Sequence, residues 1–151
     1  MKPIHNLLFS AFVAASVITF PISSQAAETP ESLDKIIETA TAKKTPILLL
    51  FTGSDWCPPC MRMEKEVFNT PEFANYAKAD ISFVKLDFPR RSAQSEEIKG
   101  RNEALAQKFG VTGFPTMVLL SSSGKELAKQ VGGVSGGPSA VMSWVKKSTA
   151  K

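Results

Sequence analysis

Residues 47–60 read Ile47-Leu48-Leu49-Leu50-Phe51-Thr52-Gly53-Ser54-Asp55-Trp56-Cys57-Pro58-Pro59-Cys60. An apolar run leads through a polar turn to the only two cysteines among 151 residues. The run is apolar on both faces, which suits a central strand covered by helices on either side. From Pro59 the pattern is helical, with Cys60, Met63, Glu64, Val67 and Phe68 on one face. A strand therefore delivers two thiols to the first turn of a helix. That end of a helix carries partial positive charge and unpaired N–H groups, so it stabilises a thiolate. The two-residue spacer brings both sulfurs within bonding range, and the pair can cycle between dithiol and disulfide.

Upstream, Lys2 and His5 form a short basic start, Leu7 to Phe20 is almost wholly apolar, and Pro21 breaks the run. Ser24-Gln25-Ala26 matches a small-x-small cleavage site, so residues 1–26 are expected to be a signal peptide and 27–151 one exported domain. An uncleaved anchor is the alternative, although the apolar core is short for a membrane span. Export makes a structural disulfide conceivable, but closing so short a loop restricts the unfolded chain little. A redox pair explains the spacing better. The formal charge of +4, with no long basic run, points to a solvated surface and not to nucleic-acid binding. A structural zinc site needs four ligands, and after cleavage the chain offers two thiols and no histidine. The same shortage argues against a copper carrier, so neither metal nor cofactor is expected.

Glu31 to Lys44 has helical spacing, and Thr45-Pro46 stops it. After the cysteine helix, Thr70 caps a restarted helix with Pro71 at its first position. Ile81 to Asp87 alternates as a strand, with Ile81, Phe83 and Lys85 on one side. Phe88 opens a polar loop, and a helix beginning at Glu96 or Arg101 runs to Phe109. Thr116–Leu120 and Glu126–Val131 flank the hairpin turn Ser121-Ser122-Ser123-Gly124, and Ser139–Lys147 is the last helix. Strands joined by helical crossovers should be parallel, and the hairpin pair antiparallel. The expectation is an α/β fold: a mixed central sheet with helices on both faces, ending in a β-hairpin and a helix.

From about Thr45 onward the chain resembles the thioredoxin family. The resemblance rests on residues 51–60, on Phe83-Val84-Lys85-Leu86-Asp87, on Gly110-Val111-Thr112-Gly113-Phe114-Pro115-Thr116 and on Val131-Gly132-Gly133. Glu64-Lys65-Glu66-Val67-Phe68 is most similar to exported thioredoxin-like domains such as the C-terminal domain of DsbD, whereas the Pro-Pro spacer is more like TlpA-type reductases. The resemblance implies a thioredoxin fold and a protein-disulfide oxidoreductase. It also implies a cis bond before Pro115, with Phe114 and Pro115 beside the cysteines to hold an extended substrate. Trp56 is expected to cover the motif, with core packing as the alternative. Cys57 is the expected attacking thiolate and Cys60 the resolving thiol.

Direction follows from the spacer. Pro58 and Pro59 have no N–H to donate to the Cys57 sulfur, so the dithiol form is less stabilised and the pair more reducing. Disulfide-bearing proteins are the expected substrates. A reductase outside the cytoplasm also needs an electron donor, expected to be a membrane protein of the DsbD kind. Nothing suggests an added dimerisation domain, so a monomer is expected. Two alternatives stand beside this: a dithiol oxidase that inserts disulfides, and a non-enzymatic module that binds extended chains.

One departure from the family concerns the proton of Cys60. Thioredoxins usually carry a buried aspartate six residues before the first cysteine, and here that position is Phe51. The lysine that accompanies it is matched by Lys85. Glu64, four residues after Cys60 and on the same helical face, is the candidate replacement, unless it turns to solvent or to a lysine. Asp55 is expected to cap its turn and not to tune charge. Arg90 and Arg91 are expected in a solvated loop, with docking of an acidic partner as the alternative.

Overall fold

The computed structural model describes residues 31–150. The expected signal peptide and its cleavage site lie outside this range. Among the described residues ten elements follow in order: α1 (Leu33–Lys43), β1 (Ile47–Thr52), α2 (Pro58–Met63), a π-helical turn (Glu64–Phe68), α3 (Pro71–Asp80), β2 (Ser82–Asp87), α4 (Glu96–Lys108), β3 (Thr116–Leu120), β4 (Glu126–Val131) and α5 (Gly137–Thr149). The strands form one sheet in the order β2-β1-β3-β4. This is the mixed α/β thioredoxin fold, with terminal hairpin and helix.

Strand β1 lies inside the sheet and all six of its residues are buried. Its side chains alternate between two cores. Leu48 and Leu50 pack with Met63, Val67, Val141 and Val145, beneath α2, the π turn and α5. Ile47, Leu49 and Phe51 pack with Ile36, Leu105 and Phe109, beneath α1 and α4. Full burial of each such side chain contributes roughly 1.5–3 kcal/mol. The alternation carries through β2, where Phe83 joins the first core and Val84 and Leu86 the second.

Strand β2 runs parallel to β1, as a helical crossover requires, but β3 runs antiparallel to β1. The expectation of parallel strands therefore holds for the first connection and not for the second. The reason lies in the flanks of α4. Phe88, before the helix, and Phe114, after it, pack at 5.0 Å between ring centroids. The chain leaves β2 and returns to the same end of the sheet, so β3 must run backward. Thr116 accordingly pairs with Phe51, at the end of β1 that leads to the cysteines.

The cysteine helix is also not uniform. After Met63 it widens into the π turn, closed by the Asn69 N–H donating to Glu64 O at 2.8 Å. Phe68 at its end is held by Phe73 and Phe83, at 4.9 and 5.4 Å. π turns often mark functional sites, and this one begins at Glu64.

Candidate active site

The turn after β1 sets the cysteines. The Cys57 N–H donates to Gly53 O at 3.0 Å, and Cys57, in extended conformation, is the N-cap of α2. Pro58 and Pro59 fill the first two helical positions, where a missing N–H breaks no helical bond. Cys57 and Cys60 are joined in a disulfide, with Cα atoms 5.2 Å apart. Cys57 keeps 4% of its surface and Cys60 none. Around them Pro58, Pro59 and Met61 are exposed.

Trp56 forms one wall of the site. Its Nε1–H donates to Phe88 O at 2.7 Å, and its ring meets Phe114 edge-on at 5.8 Å. It lies so close to Gly53 that a Cβ there would sit 2.6 Å from the indole, which leaves room only for glycine. The Phe114–Pro115 peptide bond is cis. Pro115 is buried and its carbonyl accepts from the Gly132 N–H at 2.8 Å. The Phe114 N–H and C=O take part in no hydrogen bond among the described residues.

Asp55 does cap a turn, but a distant one. Its Oδ1 accepts from the Arg90 N–H at 2.9 Å, and its Oδ2 from the N–H groups of Arg91 and Ser92 at 2.8 and 2.9 Å. These bonds, that to Arg90 foremost, hold its carboxyl at about 2, below the usual 3.8. A depressed carboxyl adds stability above its unfolded value, and that share is lost as pH falls from about 4 toward 2. Asp55→Asn is therefore expected to lower Tm at neutral pH and to flatten the Tm profile across that acid window. A thermal melt series of both proteins checks it. Loop 88–92 is thus clamped, not merely solvated, and Arg90 sets its guanidinium over the Trp56 ring, 3.6 Å from the centroid. Asp87 ties the same two segments by accepting from the Ser54 N–H and hydroxyl at 2.9 and 2.6 Å.

Glu64 and Lys85 meet directly, Nζ to Oε2 at 2.8 Å, and Thr52 Oγ1 donates to Glu64 Oε1 at 3.1 Å. The carboxylate thus turns to the lysine, the alternative kept open for it. Its side chain is only 14% exposed, against 41% for Lys85. Phe51, six residues before Cys57, brings no acceptor to Glu64 or Cys60. Phe51 faces the opposite core, stacked on Phe88 at 6.4 Å, and it is Thr52 that faces Glu64.

The structure thus gathers Trp56, Phe114 and Pro115 at one end of β1 with the cysteines, and places Glu64, Lys85 and Thr52 one helical turn beyond Cys60. Sequence reasoning missed Thr52, the Arg90–Trp56 stack and buried Asn102, whose Nδ2 donates to Asp87 O at 2.8 Å. A lone asparagine on a helix face that otherwise reads as charged gives no warning. Asp55 followed by an arginine pair 35 residues later gives only a hint.

The model of the thioredoxin-like domain matches residues 33–142. The chain is 38% identical over 116 residues to the disulfide bond reductase DsbH of Chlamydia pneumoniae, an alignment covering 77% of this chain and 69% of that protein. It is 32% identical over 102 residues to the thiol:disulfide interchange protein DsbD of Actinobacillus pleuropneumoniae, covering 68% of this chain but only 16% of that longer protein. Among solved structures, a DsbH oxidoreductase superposes with a TM-score of 0.72 at 33% identity, over 97% of this chain and 94% of that one. A thioredoxin from Thermus thermophilus shares the fold, with a TM-score of 0.56 at 18% identity over 80% of this chain and 85% of that one. On the family model, these relatives and the geometry of its cysteine pair, the chain belongs to the thioredoxin-like family.

Proposed function

We propose that this protein reduces protein disulfides outside the cytoplasm through the Cys57/Cys60 dithiol. The Cys57 thiolate attacks one sulfur of the substrate disulfide. That bond breaks, a mixed disulfide forms, and the departing substrate thiolate takes up a proton. Cys60 then gives up its proton and attacks the Cys57 sulfur, releasing the second substrate thiolate. Two electrons have passed to the substrate, and the protein is left with the Cys57–Cys60 disulfide. The extended substrate chain pairs with the free N–H and C=O of Phe114, beside Trp56 and Pro115. Glu64, paired with Lys85, serves the proton transfer of Cys60.

One observation carries the direction. The first turn of α2 has a single uncommitted N–H. The Cys57 N–H is spent on Gly53 O, Pro58 and Pro59 have none, and the Met61 N–H is spent on Cys57 O at 3.0 Å. Only the Cys60 amide remains for a thiolate at Cys57. Weak stabilisation of the thiolate raises the free energy of the dithiol, and that makes a better electron donor. The name of the DsbH relative supports the same direction. The signal-peptide pattern supports export, and an oxidising exterior then demands a membrane donor of the DsbD kind to recharge the pair.

Equilibration of residues 27–151 with glutathione buffers tests this. The expected potential lies closer to thioredoxin (about −270 mV) than to DsbA (about −120 mV). A value near that of DsbA favours the dithiol oxidase and removes the proposed direction.

A further inference from the structure

We propose that Arg90 is a specificity-determining residue that reads a carboxylate flanking the substrate's disulfide. The proposal rests on the reductase function above. Four observations place Arg90 for this task. Its guanidinium lies over the Trp56 indole at 3.6 Å, and Trp56 directly precedes Cys57 and touches Phe114. Arg90 therefore stands on the flank of the line along which an extended substrate runs. Its backbone is not free to wander, because Asp55 grips three successive N–H groups of its loop and Trp56 grips Phe88 O. The residue is exposed, and no salt bridge or side-chain hydrogen bond engages its guanidinium among the described residues. Asp55, which accepts from the Arg90 backbone N–H, has both oxygens committed to backbone N–H groups.

The indole face 3.6 Å beneath it restrains the guanidinium, while the residue stays exposed to solvent. A planar fork held in place is suited to a carboxylate, which it can bind through two parallel hydrogen bonds. Because the aromatic face already orders the side chain, less rotamer freedom is lost when a substrate arrives. Arg91 has the same charge but no such support. The net charge of +4 gives no counter-field that would repel an acidic segment.

The test uses two disulfide-bonded peptides of equal length, one with aspartates beside its cysteines and one with asparagines, and dithiothreitol as the electron source. The readout is the ratio of kcat/KM for the acidic to the neutral peptide. In the wild type this ratio exceeds one and falls as salt is raised. Arg90→Gln is expected to lower it by about fivefold, the scale of one charge pair at a rim, and to do so through KM. Arg90→Glu lowers it further, and Arg90→Lys restores part of it. Circular dichroism confirms that each variant is folded. A ratio unchanged in both Arg90→Gln and Arg90→Glu overturns the proposal while leaving the reductase function intact. A wild type that reduces neither peptide overturns the reductase function, and this proposal with it.

Discussion

Cys57→Ala is expected to abolish disulfide reduction, and Cys60→Ala to arrest the protein as a covalent complex with its substrate. The first loss is expected to be at least about a thousandfold, because the one thiol that remains, Cys60, has no exposed surface from which to attack. The second follows from position. Cys57 caps α2 and keeps a sliver of surface, whereas Cys60 is sealed one turn in. A substrate sulfur therefore reaches Cys57 first, and only Cys60 lies close enough to displace it, their Cα atoms being 5.2 Å apart. Incubation of the Cys60→Ala protein with an extracellular protein fraction, followed by non-reducing electrophoresis, should show adducts that vanish on reduction. Adducts that form equally on Cys57→Ala and Cys60→Ala would mean that the two cysteines do not divide the labour as proposed.

The double change Cys57→Ala with Cys60→Ala separates catalysis from binding. If the protein were a module that only holds extended chains, its effect on substrates would survive loss of both sulfurs. The proposed chemistry requires that it does not.

Much of the fold was legible because local signals and tertiary demands agree. The apolar run at 47–51, the Ser-Gly turn at 121–124 and Pro71 behind Thr70 each specify an element locally, and each element forms. The cysteine helix was legible from its stripe, and Cys60, Met63, Val67 and Phe68 are all buried. Three things were not legible, for physical reasons. The direction of β3 depends on where the chain re-enters after α4, which is settled by the Phe88–Phe114 contact across 26 positions and not by any pattern inside β3. The parity of β1 is hidden because a strand buried on both faces has no polar alternation to read. Matching by distance from Cys57 therefore selected Phe51, although Thr52 is the residue that looks toward Glu64. The third is the clamp between Asp55 and loop 88–92, since the bonds run from backbone N–H groups that every sequence possesses.

Glu64→Gln is expected to slow the resolving step by about a hundredfold at about pH 7, the lower end for loss of a general base. The Cys60 sulfur must lose a proton before it can attack, and Cys60 has no exposed surface through which bulk water could take it. Glu64 sits on the next turn, its N–H donating to Cys60 O. Its carboxylate is held from two sides, by Lys85 at 2.8 Å and by Thr52 at 3.1 Å, so it is fixed in place and largely shielded. Glutamine keeps the length of the side chain and can still accept from Thr52, but it cannot take up a proton. The variant therefore separates proton transfer from packing. Single-turnover release of substrate from a preformed mixed disulfide on Cys57 is the measurement. Over about pH 6 to 9 the rate should climb more steeply in Glu64→Gln than in the wild type, as hydroxide takes over the task. Lys85→Met, which leaves the carboxylate but removes its partner, should fall between the two. A Glu64→Gln protein that resolves at the wild-type rate across that range would leave the Glu64–Lys85 pair a structural strut between the π turn and β2, and the proton of Cys60 would need another acceptor.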